Sequence, residues 1–145
     1  MILYLETSNL VKLYVREPGS DEVRKLTESA EIVATSLLSY TEARAAFAQT
    51  YREKRIPPGA YRSVKEALEE DWSRCFILIP TAGTAKAAGD LAEKHGLRGF
   101  DALHLAAALD LRSAAGSEIT FSTADDRLKE AARKEGLQTL LKHHT

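Results

Sequence analysis

Short apolar runs alternate along this chain with longer stretches in which apolar residues recur every three or four positions. The short runs predict buried strands, and the recurring pattern predicts amphipathic helices. The predicted strands are residues 2–5, 32–35, 76–79 and 118–122, with a last edge strand at 138–141. The predicted helices are residues 8–15, 21–30, 39–54, 60–74, 84–95, 100–115 and 124–135.

Polar residues and glycine mark the ends of several predicted helices. Ser20 is the predicted N-cap of the second helix, and Ser36 or Ser39 is the predicted N-cap of the third. Gly136 is expected directly after the last helix, where glycine favours the left-handed conformation that ends many helices.

Strands that alternate with helices favour right-handed crossovers and a parallel sheet covered by helices on both faces. We therefore predict an α/β fold with a mostly parallel central sheet. A chain of 145 residues without repeats or linkers fits one domain, residues 1–145, with a sizeable core. In such sheets binding sites lie at the carboxyl ends of the strands.

Composition narrows the possible compartments and partners. The net charge of −1 gives no general attraction to nucleic acid, although local patches matter more than the sum. The single Cys75 cannot form an internal disulfide, which favours a reducing cytoplasm. The apolar start of the chain stops at Glu6 without a basic leader, and no apolar stretch is long enough for a bilayer, so we expect neither a signal peptide nor a membrane partner.

Four carboxylates lie far apart in the sequence, yet the predicted fold would bring three of them together. Glu6 directly follows the first strand, Asp125 follows the fourth, and Glu42 lies less than two helical turns beyond the second. Asp101 follows a helix, so the pattern gives less reason for it to join them. Clustered acids repel each other and are tolerated where a hard cation neutralises them. The set indicates a metal-dependent hydrolase.

Four segments also match a single protein family in order and spacing. They are residues 4–14 (YLETSNLVKLY), 39–44 (SYTEAR), 97–106 (LRGFDALHLA) and 121–128 (FSTADDRL). These segments resemble the PIN-domain nucleases and, more narrowly, the VapC-type toxins of bacterial and archaeal toxin–antitoxin pairs. The resemblance spans nearly the whole chain. It implies a compact three-layer α/β/α domain that binds Mg²⁺ or Mn²⁺ and acts as an endoribonuclease on RNA phosphodiester bonds.

The resemblance implies a catalytic set of Glu6, Glu42, Asp101 and Asp125. Glu6 and Asp101 would bind the metal directly, and Asp125 would bind it directly or through water. Glu42 would act through water, or orient the water that attacks the phosphate. A competing interpretation makes Glu6 and Asp125 helix caps with no chemical role. The resemblance also implies a homodimer and a cognate antitoxin that places an Arg or Lys in the acidic pocket.

Several neighbours of these acids are candidates for supporting roles. The hydroxyls of Thr7, Ser8 and Thr123 could bind a metal-bound water or a phosphate oxygen, or could serve as caps. Asp126 is a candidate auxiliary ligand, with a solvated first-turn charge as the alternative. The cations closest in sequence to the acids are the predicted RNA contacts, Arg44 and Arg98.

Other conspicuous side chains are assigned structural roles. His104, one turn from Asp101, is predicted to be packed and hydrogen-bonded, because the other acids form a hard oxygen set. Lys54 and Arg55 lie at a helix C-terminus, where cations are favoured anyway. The remaining predictions are core or interface positions for Tyr51, Tyr61 and Trp72, and a plain buried thiol for Cys75.

One residue departs from the family pattern, which usually has Asp where this chain has Glu6. The longer side chain moves the carboxylate outward, and Mg²⁺ requires near-ideal octahedral geometry. A first rival function is therefore a catalytically silent PIN-like module that binds RNA or protein, which metal-dependent cleavage would rule out. A second rival is a phosphatase with an aspartyl nucleophile, and Glu6 in the nucleophile's place counts against it.

Overall fold

A four-stranded parallel sheet lies at the centre of the computed structural model, which describes residues 1–139. The strand order is β3-β2-β1-β4, and every neighbouring pair is parallel. The predicted α/β class with a parallel sheet is confirmed. The strands are β1 (Ile2–Leu5), β2 (Ile32–Ser36), β3 (Phe76–Leu78) and β4 (Ile119–Ser122).

Helices cover both faces of this sheet and connect its strands. Within residues 1–139 they are α1 (Thr7–Val11), α2 (Ser20–Ser29), α3 (Leu37–Arg52), α4 (Pro58–Trp72), α5 (Ala82–His95), α6 (Gly99–Ala115) and α7 (Asp126–Lys134). None of these helices in the described part of the chain combines the length and apolar character needed to cross a membrane.

The central strand β1 separates two hydrophobic clusters. Its residues Leu3, Tyr4 and Leu5 are fully buried. Because successive side chains of a strand point to opposite faces, Tyr4 packs with residues of α5, α6 and α7, whereas Leu3 and Leu5 pack with residues of α1, α3 and α4. The sheet is thus the middle layer of three.

Some predicted helix boundaries are wrong for identifiable reasons. The first helix ends at Val11 and not at residue 15. Ser20 is the first residue of α2 and not its cap, because its hydroxyl accepts the N–H of Glu17 while Gly19 takes the capping position with a φ of 94°. Ser36 caps α3 by accepting the N–H of Leu38 at 3.2 Å, as one of the two alternatives predicted.

The last helix and strand also differ from the prediction. Helix α7 starts at Asp126 and not at residue 124, because Asp125 is its N-cap. Gly136 has a φ of 90°, which confirms its left-handed conformation. The predicted strand 138–141 appears as a single bridge between Gln138 and Thr120, and residues 140 and 141 lie outside the described range.

The parallel arrangement brings the carboxyl ends of three strands to one edge of the sheet. Glu6 follows β1, α3 begins directly after β2, and Thr123 follows β4. The N–H of Glu6 donates to the carbonyl of Ser122 at 3.0 Å, which joins the ends of β1 and β4. Polar side chains from distant parts of the sequence therefore meet at this edge.

Candidate active site

Glu6 lies at the end of β1 with only 6% of its surface exposed. Its Oε2 accepts the N–H of Ser8 at 3.1 Å, which makes Glu6 the N-cap of α1. Its Oε1 accepts the hydroxyls of Ser8 and Thr123, both at 2.5 Å. The capping role is therefore real, but the carboxylate is also fixed by short hydrogen bonds from two hydroxyls, one on α1 and one directly after β4.

Ser8 and Thr123 tie the Glu6 carboxylate to the start of α7. The Ser8 hydroxyl accepts the N–H of Ala124 at 2.9 Å, and the Thr123 hydroxyl accepts the N–H of Asp125 at 3.1 Å. Neither residue is a helix N-cap. Both hydroxyls donate hydrogen bonds to the Glu6 carboxylate and orient it. The predicted contacts of these hydroxyls were with a metal-bound water or a phosphate oxygen.

Glu42 extends from the second turn of α3 and is held from two other elements. Its Oε1 accepts the Thr7 hydroxyl at 2.6 Å and faces His104 Nε2 at 2.8 Å. Burial raises the pKa of Glu42, but the hydrogen bonds from His104 and Thr7 outweigh burial and leave that pKa below its ordinary value. Glu42 is therefore a fixed, ionised carboxylate.

His104 links this carboxylate to the core. Its side chain is fully buried, and Nδ1 lies 2.8 Å from the Tyr4 hydroxyl. Because an ionised carboxylate only accepts hydrogen bonds, Nε2 carries a proton toward Glu42, and the second ring nitrogen, Nδ1, is hydrogen-bonded to the Tyr4 hydroxyl. The prediction of a packed, hydrogen-bonded histidine is confirmed. Burial, followed by the charges of Glu6 and Glu42, keeps the pKa of Tyr4 well above its ordinary value.

Asp101 lies in the first turn of α6, beside a cavity of about 640 Å³. Glu42, Arg98 and Phe100 line the same cavity, together with small residues of α5. The Phe100 ring is 61% exposed at its mouth. Burial raises the pKa of Asp101, and the charges of Asp125 and then Glu6 add to that increase. Asp101 therefore lies within the field of the other acids, although no strand precedes it.

Asp125 caps α7 through one carboxylate oxygen. Its Oδ1 accepts the N–H of Leu128 at 2.9 Å, which leaves Oδ2 for other contacts. Asp126 is the first residue of α7 and is exposed, as expected for an acid favoured by the helix dipole. Capping at Asp125 is compatible with a ligand role because the two oxygens act separately.

The two predicted RNA contacts have different surroundings. Arg98 lines the cavity beside Asp101. Arg44 lies two residues after Glu42 on α3, and residues two apart point to opposite sides of a helix. Its guanidinium donates to the Tyr40 hydroxyl at 2.8 Å and lies 5.7 Å from the centre of that ring. Proximity in sequence therefore does not place Arg44 at the cavity.

Sequence reasoning missed the network of Tyr4, His104, Thr7 and Glu42. The residues of its central contact, Glu42 and His104, are 62 positions apart. The only sequence signal for it was the position of His104 one turn from Asp101. That spacing places both residues on one side of α6 but cannot identify a partner on another helix.

The oxygen-rich donor set suits a hard divalent cation such as Mg²⁺ or Mn²⁺. Among residues 1–139 no three Asp, Glu, His or Cys side chains are arranged to hold a metal together. Mg²⁺ is commonly held by one or two carboxylates, with waters and substrate phosphates completing the shell. Asp101 and Glu42 line one cavity, and Oδ2 of Asp125 has no part in capping α7, so carboxylate oxygens of the kind that Mg²⁺ or Mn²⁺ binds are present and the residues fit such an ion.

Comparison with known sequences identifies a family match that covers most of the chain. Residues 3–134 match the PIN domain. Ribonuclease VapC45 of Mycobacterium tuberculosis is 34% identical over 108 residues, which are 74% of this chain and 75% of that relative. Ribonuclease VapC46 of the same species is 30% identical over 138 residues, 95% of each chain.

Solved structures show the same fold at lower sequence identity. FitAcB from Neisseria gonorrhoeae superposes with a TM-score of 0.66 and 20% identity, covering 97% of each chain. A toxin–antitoxin complex from Klebsiella pneumoniae superposes with a TM-score of 0.58 and 17% identity, covering 86% of this chain and 88% of that one. These neighbours support the three-layer architecture.

Proposed function

This chain belongs to the PIN-domain family, and from that membership we propose that it is an endoribonuclease that hydrolyses RNA phosphodiester bonds. The curated relatives of 30% identity or more are named ribonucleases. The observation that carries the proposal is the placement of Glu6 and Asp125 just beyond the ends of β1 and β4, beside a cavity lined by Glu42 and Asp101. These acids come from different elements at the sheet edge where α/β enzymes bind their substrates.

We assign the roles within this site as follows. Asp101, Asp125 and Glu6 would hold Mg²⁺ or Mn²⁺. When bound, such an ion lowers the pKa of a water molecule and polarises a phosphoryl oxygen. Glu42, fixed by Thr7 and His104, would orient the attacking water. Arg98 would contact a phosphate of the RNA, because it lines the same cavity as Asp101.

The hydroxyl residues position these acids. Ser8 and Thr123 restrain Glu6 from two sides, and Thr7 restrains Glu42. This arrangement supports auxiliary roles for all three. Asp126 would act as a more distant charge near Asp125, because it begins α7 on the exposed side.

The partner we propose is a cognate antitoxin, with this chain as the toxin of the pair. Glu42 and Asp101 line the cavity, and the charges of Asp125 and Glu6 act on Asp101. The cavity is therefore complementary in charge to an Arg or Lys side chain. An antitoxin Arg or Lys placed there would block the site, because it carries no phosphodiester bond that could be hydrolysed. We also propose a homodimer, one domain over residues 1–145, and a cytoplasmic location.

Glu6 is the specific observation that favours a second function, a catalytically silent RNA- or protein-binding module. Both of its carboxylate oxygens already accept hydrogen bonds from Ser8 and Thr123. A metal at Glu6 would share these oxygens or displace a hydroxyl, and either change costs free energy. In a silent module, the only role of Glu6 would be to accept these hydrogen bonds from Ser8 and Thr123.

Cleavage of a mixed RNA pool by the purified, partner-free protein tests both functions. We expect cleavage with Mn²⁺ or Mg²⁺ that EDTA abolishes. Asp101→Asn should lower the rate by at least about 100-fold, because it removes a charged group from the reacting centre. The exposed variant Asp90→Asn on α5 serves as the matched control and should cleave at the parental rate.

Absence of cleavage by the parent would favour the silent module. Glu6→Asp then becomes the deciding variant, since it restores the acid usual in the family at this position. Activity gained by Glu6→Asp would show that the extra methylene disables the site. Continued inactivity with intact RNA binding would establish a binding module.

A further inference from the structure

A second cavity, of about 590 Å³, lies where α3 ends and α4 begins. We call residues 51–65 the basic groove. Tyr51, Arg52, Lys54 and Arg55 line this cavity, together with the turn that enters α4. None of these residues lines the acidic cavity or belongs to the proposed catalytic set, and the sequence had assigned Tyr51, Lys54 and Arg55 structural roles only.

The basic groove concentrates positive charge in a chain whose net charge is −1. Its fifteen residues include five cationic side chains and one anionic side chain, Glu53. Arg55 is partly neutralised, because it pairs with Glu53 at 2.9 Å. Within residues 1–139, Arg52 and Lys54 form no ion pair and are exposed. Their charges are therefore available to an anionic partner.

An aromatic pair lies beside these cations. The rings of Tyr51 and Tyr61 stack with their centres 4.7 Å apart and their planes 16° apart. Lys65 Nζ lies 4.4 Å from the centre of the Tyr61 ring. Tyr61 packs against the core, but Tyr51 is 37% exposed and lines the cavity. An exposed ring among cations is a stacking surface that accepts any nucleobase.

Backbone hydrogen bonds fix the turn that presents these side chains. The N–H of Arg55 donates to the carbonyl of Thr50 at 3.1 Å, and that of Lys54 donates to the carbonyl of Tyr51 at 3.0 Å. Pro57 and Pro58 then restrict the chain as it enters α4. Because the turn is already ordered, binding a ligand here loses little conformational entropy.

The proposed substrate needs such a surface. RNA affinity derives largely from cations that neutralise phosphates, whereas the acidic cavity has Arg98 as its one cationic lining residue among residues 1–139. We propose that the basic groove binds the RNA strand outside the acidic cavity. This inference rests on the proposed function in that RNA is the molecule bound, whether or not it is cleaved. The exposed ring of Tyr51 favours a nucleic acid over an acidic protein segment.

The length of α3 sets the span between the two surfaces. Glu42 and Arg52 are ten residues apart on this helix, which corresponds to about 15 Å along its axis. A stacked strand advances about 3.4 Å per nucleotide. An RNA must therefore extend about four to five nucleotides from the cleaved bond to reach the groove, and shorter substrates will not use it.

Binding of a 20-nucleotide single-stranded RNA, measured by fluorescence anisotropy in EDTA, tests the groove without requiring cleavage. Arg52→Gln/Lys54→Gln should weaken binding about tenfold at about 0.1 M salt, and should reduce the slope of log affinity against log salt by about 1.4, the effect of two lost phosphate contacts. The matched control, Arg24→Gln/Lys25→Gln on the exposed side of α2, removes the same charge and should bind as the parent does.

Cleavage assays separate this inference from the proposed function. On the 20-nucleotide RNA, Arg52→Gln/Lys54→Gln should raise KM and leave kcat unchanged. On a trinucleotide, it should match the parent. Tyr51→Leu should weaken RNA binding severalfold, whereas Tyr51→Phe retains the ring and should bind normally.

Each remaining outcome is decisive. Parental RNA affinity in Arg52→Gln/Lys54→Gln, or an equal loss in the α2 control, overturns the groove. The groove is also overturned if Arg52→Gln/Lys54→Gln binds RNA as the parent does but no longer binds an acidic peptide that the parent binds. If the parent cleaves no RNA but Arg52→Gln/Lys54→Gln still weakens RNA binding, the groove is upheld and the nuclease function is rejected.

Discussion

The carboxylate of Asp101 has a raised pKa because it is partly buried and faces Asp125 and Glu6. A carboxyl whose pKa is raised by folding stabilises the fold below its unfolded pKa, near 3.9, and loses that stabilisation as the pH rises through the folded value. At neutral pH the charged Asp101 therefore destabilises the protein. The same charge is what a bound cation would require.

Asp101→Asn should consequently increase the free energy of unfolding at pH 7 in EDTA. The gain is about 0.5 kcal/mol, because solvent screens this partly exposed group. Urea denaturation at pH 7 and near pH 3.5 measures it. The difference from the parent should shrink at the lower pH, where Asp101 is mostly protonated in both the folded and the unfolded chain. A loss of stability at pH 7 would show that Asp101 has a structural role.

Residue identity alone could predict the carboxylates of the site but not the hydrogen bonds that hold them in place. The carboxylates at the ends of β1 and β4 were predictable, because the pattern of apolar residues locates the strand ends. The pairing of Glu42 with His104 was not, since it depends on how α3 and α6 pack across the sheet. Arg44 failed to reach the cavity because neighbours in sequence diverge on a helix.

At the scale of elements, Glu135 fastens the end of α7 to α5. Its Oε2 accepts Lys94 Nζ and His95 Nε2, both at 2.7 Å, and its side chain is 17% exposed. Its backbone carbonyl accepts Arg112 of α6 at 2.9 Å. The hydrogen bonds from Lys94 and then His95 lower the pKa of Glu135. The stabilisation is thus present above the ordinary glutamate pKa and is lost as the pH falls through the lowered value.

Glu135→Gln should therefore lower the free energy of unfolding by about 1 kcal/mol at pH 7, because two charge-assisted bonds are weakened. As the pH falls through the lowered pKa of Glu135, the parent loses the same bonds, and the two proteins should converge. Denaturant titrations across this pH range test the prediction. Glu130→Gln, which removes an exposed partner of Arg133 on the same helix, should match the parent. An effect of Glu135→Gln that did not vary with pH would point to packing instead of charge.

The existence and type of the described elements were predictable from the spacing of apolar residues. Their exact ends depended on local hydrogen bonds. Ser20 was expected to cap α2 because of its type, but the Glu17 N–H competes for its hydroxyl. Asp125 moved the start of α7 because a cap lies outside its helix.

At the scale of the whole molecule, cation binding and folding should be linked. A ligand that binds the folded chain stabilises it by about 1.4 kcal/mol at ten times its dissociation constant. Thermal unfolding in MgCl₂ should show this gain over NaCl of equal ionic strength, and EDTA should remove it. Asp101→Asn should gain much less. An equal gain in both proteins would place the cation elsewhere.

The sheet order has a consequence for synthesis of the protein. Central strand β1 pairs with β4, and Glu6 is held by Thr123. A ribosome makes Thr123 117 residues after Glu6. A nascent chain that stops short of Thr123 has three of its four acids but cannot restrain Glu6 or supply Asp125. Translation itself therefore delays assembly of the site until the segment that carries Thr123 and Asp125 has been made.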